Sequence, residues 1–342
     1  MTPEEKFELI TKDLQEVVGK EELKELLKKR DLKLYWGTAP TGRPHVGYLV
    51  PMLKIGEFLK AGCYVKVLLA DLHAYLDNMK TSFELLEHRT KYYEELIRIL
   101  LQSLGIDITK LEFIKGSEFQ LTKEYTLDMY RMAVTASVAE CKKAGAEVVK
   151  QTDNPKLGGL IYPIMQALDE QYLNVDAQFG GLDQRKIFMF AREFLPKIGY
   201  KARIELMNPM APGLTGGKMS SSEEHSKIDL LDTPELVRKK LSKAYCPEGV
   251  LDDNGVMAWA RLIIFKIKQM QNEPFIVERP EKWGGNLTYH SYEKLEQDFV
   301  SKQLHPQDLK IAMAKEINKI LEPVRNYMAD KQDLIKKAYP DE

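Results

Sequence analysis

The sequence predicts an α/β fold in which a mostly parallel sheet precedes a helical C-terminal region. Residues 32–36 and 64–70 are short, continuous apolar runs, a pattern typical of strands in a parallel sheet that is covered on both faces. Helix-period segments lie between such runs. After Thr233 the strand-like runs end and helical spacing dominates. This change predicts one domain over 1–232 and an all-α domain over 233–342.

The remaining elements follow from the same periodicity. Apolar positions in residues 3–30 recur at helical spacing on both sides of Gly19, which predicts two amphipathic helices. Residues 71–75 directly follow a strand and are expected to line the crevice at the carboxyl ends of the strands. Residues 116–160 are polar with helical stretches and predict an insertion. The other predicted elements are helices over 45–60, 81–104, 234–244, 255–269, 291–300 and 306–327, and strands over 111–114, 175–179 and 203–207.

Composition excludes several classes of protein. The 342 residues carry 50 Lys and Arg against 51 Asp and Glu, so no global field attracts nucleic acid, and an RNA partner must be bound by local patches. Cys63, Cys141 and Cys246 are far apart, which favours a reducing cytoplasm and argues against a zinc site. Because no secretory or membrane-spanning run is present, we expect a soluble chain without membrane contact.

A strand, a glycine-containing loop and the start of a helix occur together at residues 32–47. Pro44 suits a first helical position. His45 is then expected in the first helical turn, where free N–H groups attract phosphate, and Gly47 would let a flat ring lie against the backbone. Such a loop is common in α/β proteins, so alone it does not distinguish a nucleotide site from an ordinary connection.

A second stretch, residues 213–222, combines glycines with Lys218 and the hydroxyl groups of Ser220, Ser221 and Ser222. Three consecutive hydroxyl groups cannot anchor a core, whereas a mobile loop can carry one lysine onto a polyphosphate. A disordered Gly/Ser linker is the alternative interpretation.

Together the two stretches resemble the signatures of class I aminoacyl-tRNA synthetases. Residues 44–47 are similar to the HIGH motif, whose second histidine is replaced here by Tyr48, and residues 218–222 match KMSSS. They occur in the family's order, about 170 residues apart. The resemblance implies a Rossmann-type catalytic domain and a homodimer whose interface is largely supplied by the insertion.

One predicted helix carries a polar stripe. Pro163 is expected in its first turn, and Tyr162, Gln166 and Asp169 share one face because they are spaced at i, i+4 and i+7. A solvent-facing stripe is an equally good interpretation of this spacing alone. Asp183, after a pair of glycines, is expected either to cap a helix or to accept from ribose hydroxyls.

The resemblance narrows to the tyrosyl-tRNA synthetases of archaeal and eukaryotic cytoplasmic type, and it extends over nearly the whole chain. It implies that Tyr35 and Asp169 bind the phenol of tyrosine, that Tyr162 and Gln166 bind its ammonium group, and that Gln184 completes the shell. A buried pair that needs the hydroxyl rejects phenylalanine, which would leave the pair without a partner.

The same resemblance implies activation of tyrosine by ATP and transfer of the tyrosyl group to tRNA(Tyr). His45 is expected to bind the phosphates, Gly47 to lie against the adenine and Asp183 to accept hydrogen bonds from the ribose. Lys218 is expected to close on the developing pyrophosphate, with residues 220–222 supporting its loop. Mg²⁺ is expected to arrive with ATP, without a dedicated protein cage. The expected ATP-binding residues are Gly37, Thr38, His45, Gly47, Asp183 and Lys218.

Three residues in C-terminal loops suggest RNA recognition. An aromatic residue, a histidine and a carboxylate can stack on and hydrogen-bond one unpaired base. A buried core position is the first interpretation of Trp283 alone. The resemblance instead implies that Trp283 and His305 stack on the first anticodon base and that Asp308 hydrogen-bonds to it. We also expect the chain to lack the appended C-terminal RNA-binding domain of some animal relatives.

Three alternatives use parts of this pattern. A tryptophanyl ligase shares the nucleotide motifs but has no use for a Tyr35/Asp169 pair directed at a hydroxyl. A small-molecule nucleotidylyltransferase shares the His-x-Gly segment but does not need the Lys218 loop. A non-catalytic RNA-binding or signalling paralogue is expected to have lost nucleotide-binding residues, and these are intact.

Overall fold

The computed structural model describes residues 1–77, 81–149, 156–216 and 226–340. The described strands are β1 Glu16–Val18, β2 Lys33–Thr38, β3 Tyr64–Leu69, β4 Leu111–Lys115, β5 Ala177–Gly181, β6 Ile204–Asn208, β7 Phe275–Val277 and β8 Leu287–Tyr289. The described helices are α1 Pro3–Thr11, α2 Lys20–Leu27, α3 Leu49–Lys60, α4 Asp71–Leu76, α5 Phe83–Ser103, α6 Ser117–Gln120, α7 Lys123–Thr135, α8 Val138–Ala144, α9 Leu157–Tyr172, α10 Arg185–Phe194, α11 Pro234–Lys243, α12 Gly255–Trp259, α13 Phe265–Gln271, α14 Tyr292–Val300, α15 Pro306–Ala329 and α16 Gln332–Ala338.

The large sheet has the strand order β1-β6-β5-β2-β3-β4. All neighbouring strands in it are parallel except β1, which runs antiparallel to β6. The chain starts the parallel part at β2, builds outward through β3 and β4, and then returns to place β5 and β6 on the other side. The strand order therefore reverses between β2 and β5, and ligands of open α/β sheets bind at such a switch point. The α/β prediction is confirmed.

Alternate residues of β2 belong to cores on opposite faces of the sheet. Leu34 and Trp36 lie in the main core, which also contains the buried positions of α3 and α5. Tyr35 lies in a small second cluster with Leu173, at the end of α9. Since successive strand side chains point to opposite faces, Tyr35 is directed to the α9 side. The main core continues from the sheet into the C-terminal helices.

Local differences from the predicted elements have identifiable causes. The segment after α1 is not helical, because Asp13 has a φ of +58° and residues 16–18 pair with β6. Pro163 lies inside α9 and not in its first turn, because the helix already begins at Leu157. A two-stranded antiparallel sheet, β7-β8, interrupts the C-terminal helices, and periodicity had not predicted it. No helix of the described residues is long and apolar enough to cross a lipid bilayer.

Candidate active site

A cavity of about 400 Å³ opens at the switch point of the sheet. Its walls come from the carboxyl ends of β2 and β5, from α9 and from the loop after β2. It brings together every predicted tyrosine-binding residue and every predicted ATP-binding residue that lies in the described part of the chain, namely Tyr35, Gly37, Thr38, His45, Gly47, Tyr162, Gln166, Asp169, Asp183 and Gln184.

His45 begins a short helical turn without lying inside it. Its backbone is extended, and it caps the 3₁₀ turn Val46–Tyr48 that precedes α3, so the expected position in the first helical turn is wrong. The physical reason is a bridge between His45 and Asp229. Val46 N donates to Ile228 O at 2.8 Å, and Leu230 N donates to Pro44 O at 3.1 Å. These bonds hold the His45 segment against residues 228–230.

The predicted catalytic residues Lys218, Ser220, Ser221 and Ser222 lie outside the described residues. The segments on either side of them are described and are bonded to each other, because Leu214 N donates to Ser226 O at 3.0 Å. Residues 226–230 then run directly into the bridge with His45. The described segments on either side of residues 217–225 therefore lie beside the first signature stretch.

The hydrogen bonds of the His45 ring determine which nitrogen can face a ligand. Nδ1 accepts from Gly47 N at 3.2 Å. Burial, and secondly the charge of Lys227, lower the pKa of His45 to about 4. The ring is thus neutral near pH 7 with its proton on Nε2, which can donate to a phosphate oxygen.

The polar stripe of α9 faces the cavity. Tyr162 and Asp169 are buried, and Gln166 Nε2 donates to Gln184 Oε1 at 3.3 Å. Tyr35 OH reaches the same helix and donates to Gln166 O at 3.3 Å. The interpretation of this stripe as a ligand-facing surface is therefore favoured over a solvent-facing one.

Asp169 is fully buried, and two residues that the sequence analysis missed hold it. Its Oδ1 accepts from Gln120 Nε2 at 2.8 Å and from Tyr125 OH at 2.9 Å. Burial raises the pKa of Asp169 to about 7, although these two hydrogen bonds oppose the rise. His73 Nε2 lies 3.8 Å from Asp169 Oδ2. His73 belongs to the predicted crevice segment 71–75, whereas no local signal marks Gln120 or Tyr125.

Carboxylates surround the other end of the α9 stripe. Burial raises the pKa of Tyr162, and the charges of Asp77, Asp169 and Asp183 raise it further, in that order. A negative potential of this kind suits a positively charged ammonium group. Asp183 lies in the turn Leu182–Gln184, which Gly181 caps, so its expected alternative role as a helix cap is wrong.

The C-terminal residues predicted to contact RNA lie in adjacent loops. Trp283 is 66% exposed, contrary to a core position, and His305 is exposed at the start of α15. Arg279 joins the two loops, because its Nε donates to Gly285 O at 3.0 Å and its Nη1 to Gln303 O at 3.2 Å. Asp308 lies in the first turn of α15. Arg279 had no signal in the sequence.

Within the described part of the chain, no group of three or more His, Cys, Asp or Glu side chains could hold a metal ion.

Comparison with known proteins gives one consistent family. The family of class I tRNA synthetases (W and Y) matches residues 27–322. The cytoplasmic tyrosine–tRNA ligase of Xenopus tropicalis is 57% identical over 99% of this chain, and the chain spans 64% of that relative's length. The corresponding Saccharomyces cerevisiae protein is 53% identical over 99% of this chain and 88% of its own length. The crystal structure of tyrosyl-tRNA synthetase complexed with L-tyrosine from Archaeoglobus fulgidus has a TM-score of 0.87 and 40% identity, covering 95% of this chain and 99% of that one.

Proposed function

Because the chain belongs to the class I tRNA synthetases of the W and Y family, we propose that it is a tyrosine–tRNA ligase. It activates L-tyrosine with ATP and transfers the tyrosyl group to the 3′-terminal ribose of tRNA(Tyr). The observation that carries this proposal is that one cavity is lined both by the buried carboxylate of Asp169 and by His45, whose segment is bonded to residues 228–230.

The amino-acid end of the cavity favours tyrosine over its close analogues. Tyr35 and Asp169 present polar atoms to a para-hydroxyl group, while the carboxylates around Tyr162 attract the ammonium group, with Gln166 and Gln184 beside it. Phenylalanine would leave buried polar atoms without partners, which is costly in a dry site. The names of the compared relatives, which specify tyrosine, support the same substrate.

The chemistry needs positioning more than proton transfer. An ionised carboxylate oxygen of tyrosine attacks the α-phosphorus of ATP, the bond to the bridging oxygen breaks, and pyrophosphate leaves. A ribose hydroxyl of the tRNA then attacks the carbonyl carbon of the adenylate, and AMP leaves. Because the nucleophile of the first step is already charged, the residues stabilise phosphate charge and hold the reactants together.

The residues at the ATP end of the cavity have separate roles in holding the nucleotide. His45 Nε2–H donates to the phosphates, and Gly47 lies against the adenine. Asp183 accepts from the ribose hydroxyls, with Gly37 and Thr38 at the carboxyl end of β2. Lys218, supported by the hydroxyls of residues 220–222, neutralises the pyrophosphate, and Mg²⁺ accompanies ATP.

The C-terminal region, residues 233–342, recognises the anticodon in this proposal, while residues 1–232 carry the chemistry. Trp283 and His305 stack on one unpaired base, and Asp308 accepts a hydrogen bond from it. The exposure of Trp283 and the bridge by Arg279 between the two loops support this arrangement.

The functional unit is a cytoplasmic homodimer in this proposal. The cytoplasm follows the names of the relatives. The dimer is supported by α7, where Leu127, Tyr130 and Val134 share one face and are all exposed, since exposed apolar patches of this kind mark interfaces.

Charging of tRNA(Tyr) transcripts with radiolabelled tyrosine tests the proposal. We expect the wild-type chain to charge them. Trp283→Ala should raise KM for tRNA roughly tenfold, corresponding to loss of about 1–3 kcal/mol of base stacking, while tyrosine-dependent ATP–pyrophosphate exchange stays unchanged. Tyr245→Ala, an exposed aromatic in a different loop, is the matched control. No charging by the wild type would reject the proposal, and loss of both activities in Trp283→Ala would assign Trp283 a structural role.

A further inference from the structure

Two buried polar atoms at the base of the cavity face each other without a hydrogen bond. His73 Nε2 and Asp169 Oδ2 are 3.8 Å apart, and the two side chains are 2% and 1% exposed. Neither atom has a hydrogen-bond partner among the described residues, and both residues line the cavity. Because buried polar groups in native proteins are nearly always paired, an atom of a ligand or a water is expected in this gap, and the position of the gap in the cavity wall makes it accessible to a substrate.

The orientation of Asp169 makes Oδ2 the available oxygen. Oδ1 already accepts two hydrogen bonds, from Gln120 and from Tyr125. Two donors on one oxygen fix the plane of the carboxylate and leave Oδ2 to accept from whatever enters the gap.

Gln120 also determines the tautomer of His73. The amide nitrogen Nε2 of Gln120, which can only donate, binds Asp169 Oδ1 and lies 3.4 Å from His73 Nδ1. We assign the ring proton to Nε2, the atom that faces Asp169 Oδ2, because Nδ1 then accepts from the Gln120 amide. Burial lowers the pKa of His73 to about 4, with the Tyr162 carbonyl opposing the shift, so the ring is neutral near pH 7.

We propose that His73 is a specificity-determining residue that donates its Nε2–H to the phenol oxygen of the substrate, while Asp169 Oδ2 accepts the phenol proton. A hydroxyl oxygen can lie about 2.8 Å from both atoms across a gap of this width. A phenol hydroxyl both accepts and donates one hydrogen bond at the same oxygen, as this pair of atoms requires.

This inference rests on the proposed function and extends it. Asp169 alone would accept from any donor, including an indole N–H. His73 adds the requirement for an acceptor at the same point, which an indole N–H and an unsubstituted ring both fail to provide. Together the two residues distinguish tyrosine from both tryptophan and phenylalanine.

ATP–pyrophosphate exchange with tyrosine and with phenylalanine, carried out on the full chain, tests the role of His73. His73→Phe keeps a ring but removes the donor, and we expect it to lower kcat/KM for tyrosine about tenfold or more without lowering the value for phenylalanine. His73→Gln, whose amide can return an N–H near the same point, should recover part of the preference. His88→Phe, the same change at a half-buried position outside the cavity, should leave the preference unchanged.

A spectroscopic measurement on the unmodified chain is independent of folding of the variants. In protein labelled with ¹⁵N-histidine, the Nε2–H signal of His73 should shift when tyrosine binds and stay in place when phenylalanine is added. An unshifted signal with bound tyrosine, or an equal loss of both activities in His73→Phe while the wild type is active, would overturn the role of His73. A wild-type chain without tyrosine-dependent exchange would instead overturn the proposed function and this inference with it.

Discussion

If the chain binds tyrosine as proposed, Asp169 should make that binding sensitive to pH, because its pKa lies near 7 in the cavity. When the carboxyl group is protonated, the proton sits on Oδ2, since Oδ1 already accepts from Gln120 and Tyr125. The protonated Oδ2 is a donor and a poorer acceptor for the phenol proton, and the proposed His73 Nε2–H already donates at the same point. We therefore expect tyrosine affinity to be full above pH 7 and to weaken by up to tenfold per pH unit below it.

Titration calorimetry of tyrosine without ATP, between pH 5.5 and 8, measures this effect. His73 does not titrate in that window, because its pKa is about 4. Asp169→Asn is the control and should bind weakly with little dependence on pH. A wild-type affinity that stays constant across the range would contradict the pKa assigned to Asp169.

At the residue scale, the sequence predicts the side chains that share a helix face but not those that meet through tertiary packing. The positions of Tyr162, Gln166 and Asp169 follow from helical spacing, and all three line the cavity. Gln120 and Tyr125 hold Asp169 from α6 and α7. Their approach depends on how the insertion folds back onto α9, which no local periodicity encodes.

At the scale of single elements, α9 and β6 enclose two carboxyl groups. Glu170 and Glu205 are fully buried, and their oxygens have no hydrogen-bond partner among the residues described. Burial raises the pKa of Glu170 to about 8, although Arg203 and Arg192 oppose the shift. Burial and then the charge of Glu170 raise the pKa of Glu205. The folded chain thus holds protons that the unfolded chain releases, so stability declines as pH rises from about 4.5 to 8.

Replacing one of these carboxyl groups should remove part of that decline. We expect Glu205→Gln to raise the free energy of unfolding at pH 8 by at least about 1 kcal/mol, with little change at pH 5, because an amide never ionises. Thermal unfolding at both pH values measures the difference. Glu193→Gln, an exposed position on the neighbouring α10, should have no such pH dependence. An equal gain at pH 5 and pH 8 would show that ionisation is not the cause.

The elements that the sequence missed are those that depend on distant partners. β1 is three residues long and exists because it pairs with β6. The helical start expected at Pro44 is displaced to Val46 because His45 pairs with Asp229. Strands β2 to β6 were predicted, and the clearest of them, β2 and β3, carry the continuous apolar runs typical of strands covered on both faces.

At the scale of the whole molecule, the exposed face of α7 predicts the state of assembly. Val134 is 90% exposed and shares an apolar surface with Leu127 and Tyr130. Val134→Asp should convert a dimer into a monomer at micromolar concentration, because it buries an unpaired charge in the interface. Light scattering after size-exclusion chromatography measures the mass. Met270→Asp, at an exposed apolar position on α13, should remain dimeric. The mass of a dimer for Val134→Asp, or the mass of a monomer for the wild type, would contradict the assignment of this interface.

The account as a whole depends on a cavity in which an ATP site and a phenol site act together. ATP–pyrophosphate exchange with tyrosine, tryptophan and phenylalanine, measured separately on the wild type and on Asp169→Ala, tests this most directly. The wild type should exchange with tyrosine in strong preference to the other two, as tyrosyl-tRNA synthetases do by about 10⁵ over phenylalanine. Asp169→Ala should lose most of that preference. Exchange driven equally well by tryptophan, or a preference for tyrosine that survives in Asp169→Ala, would contradict the account.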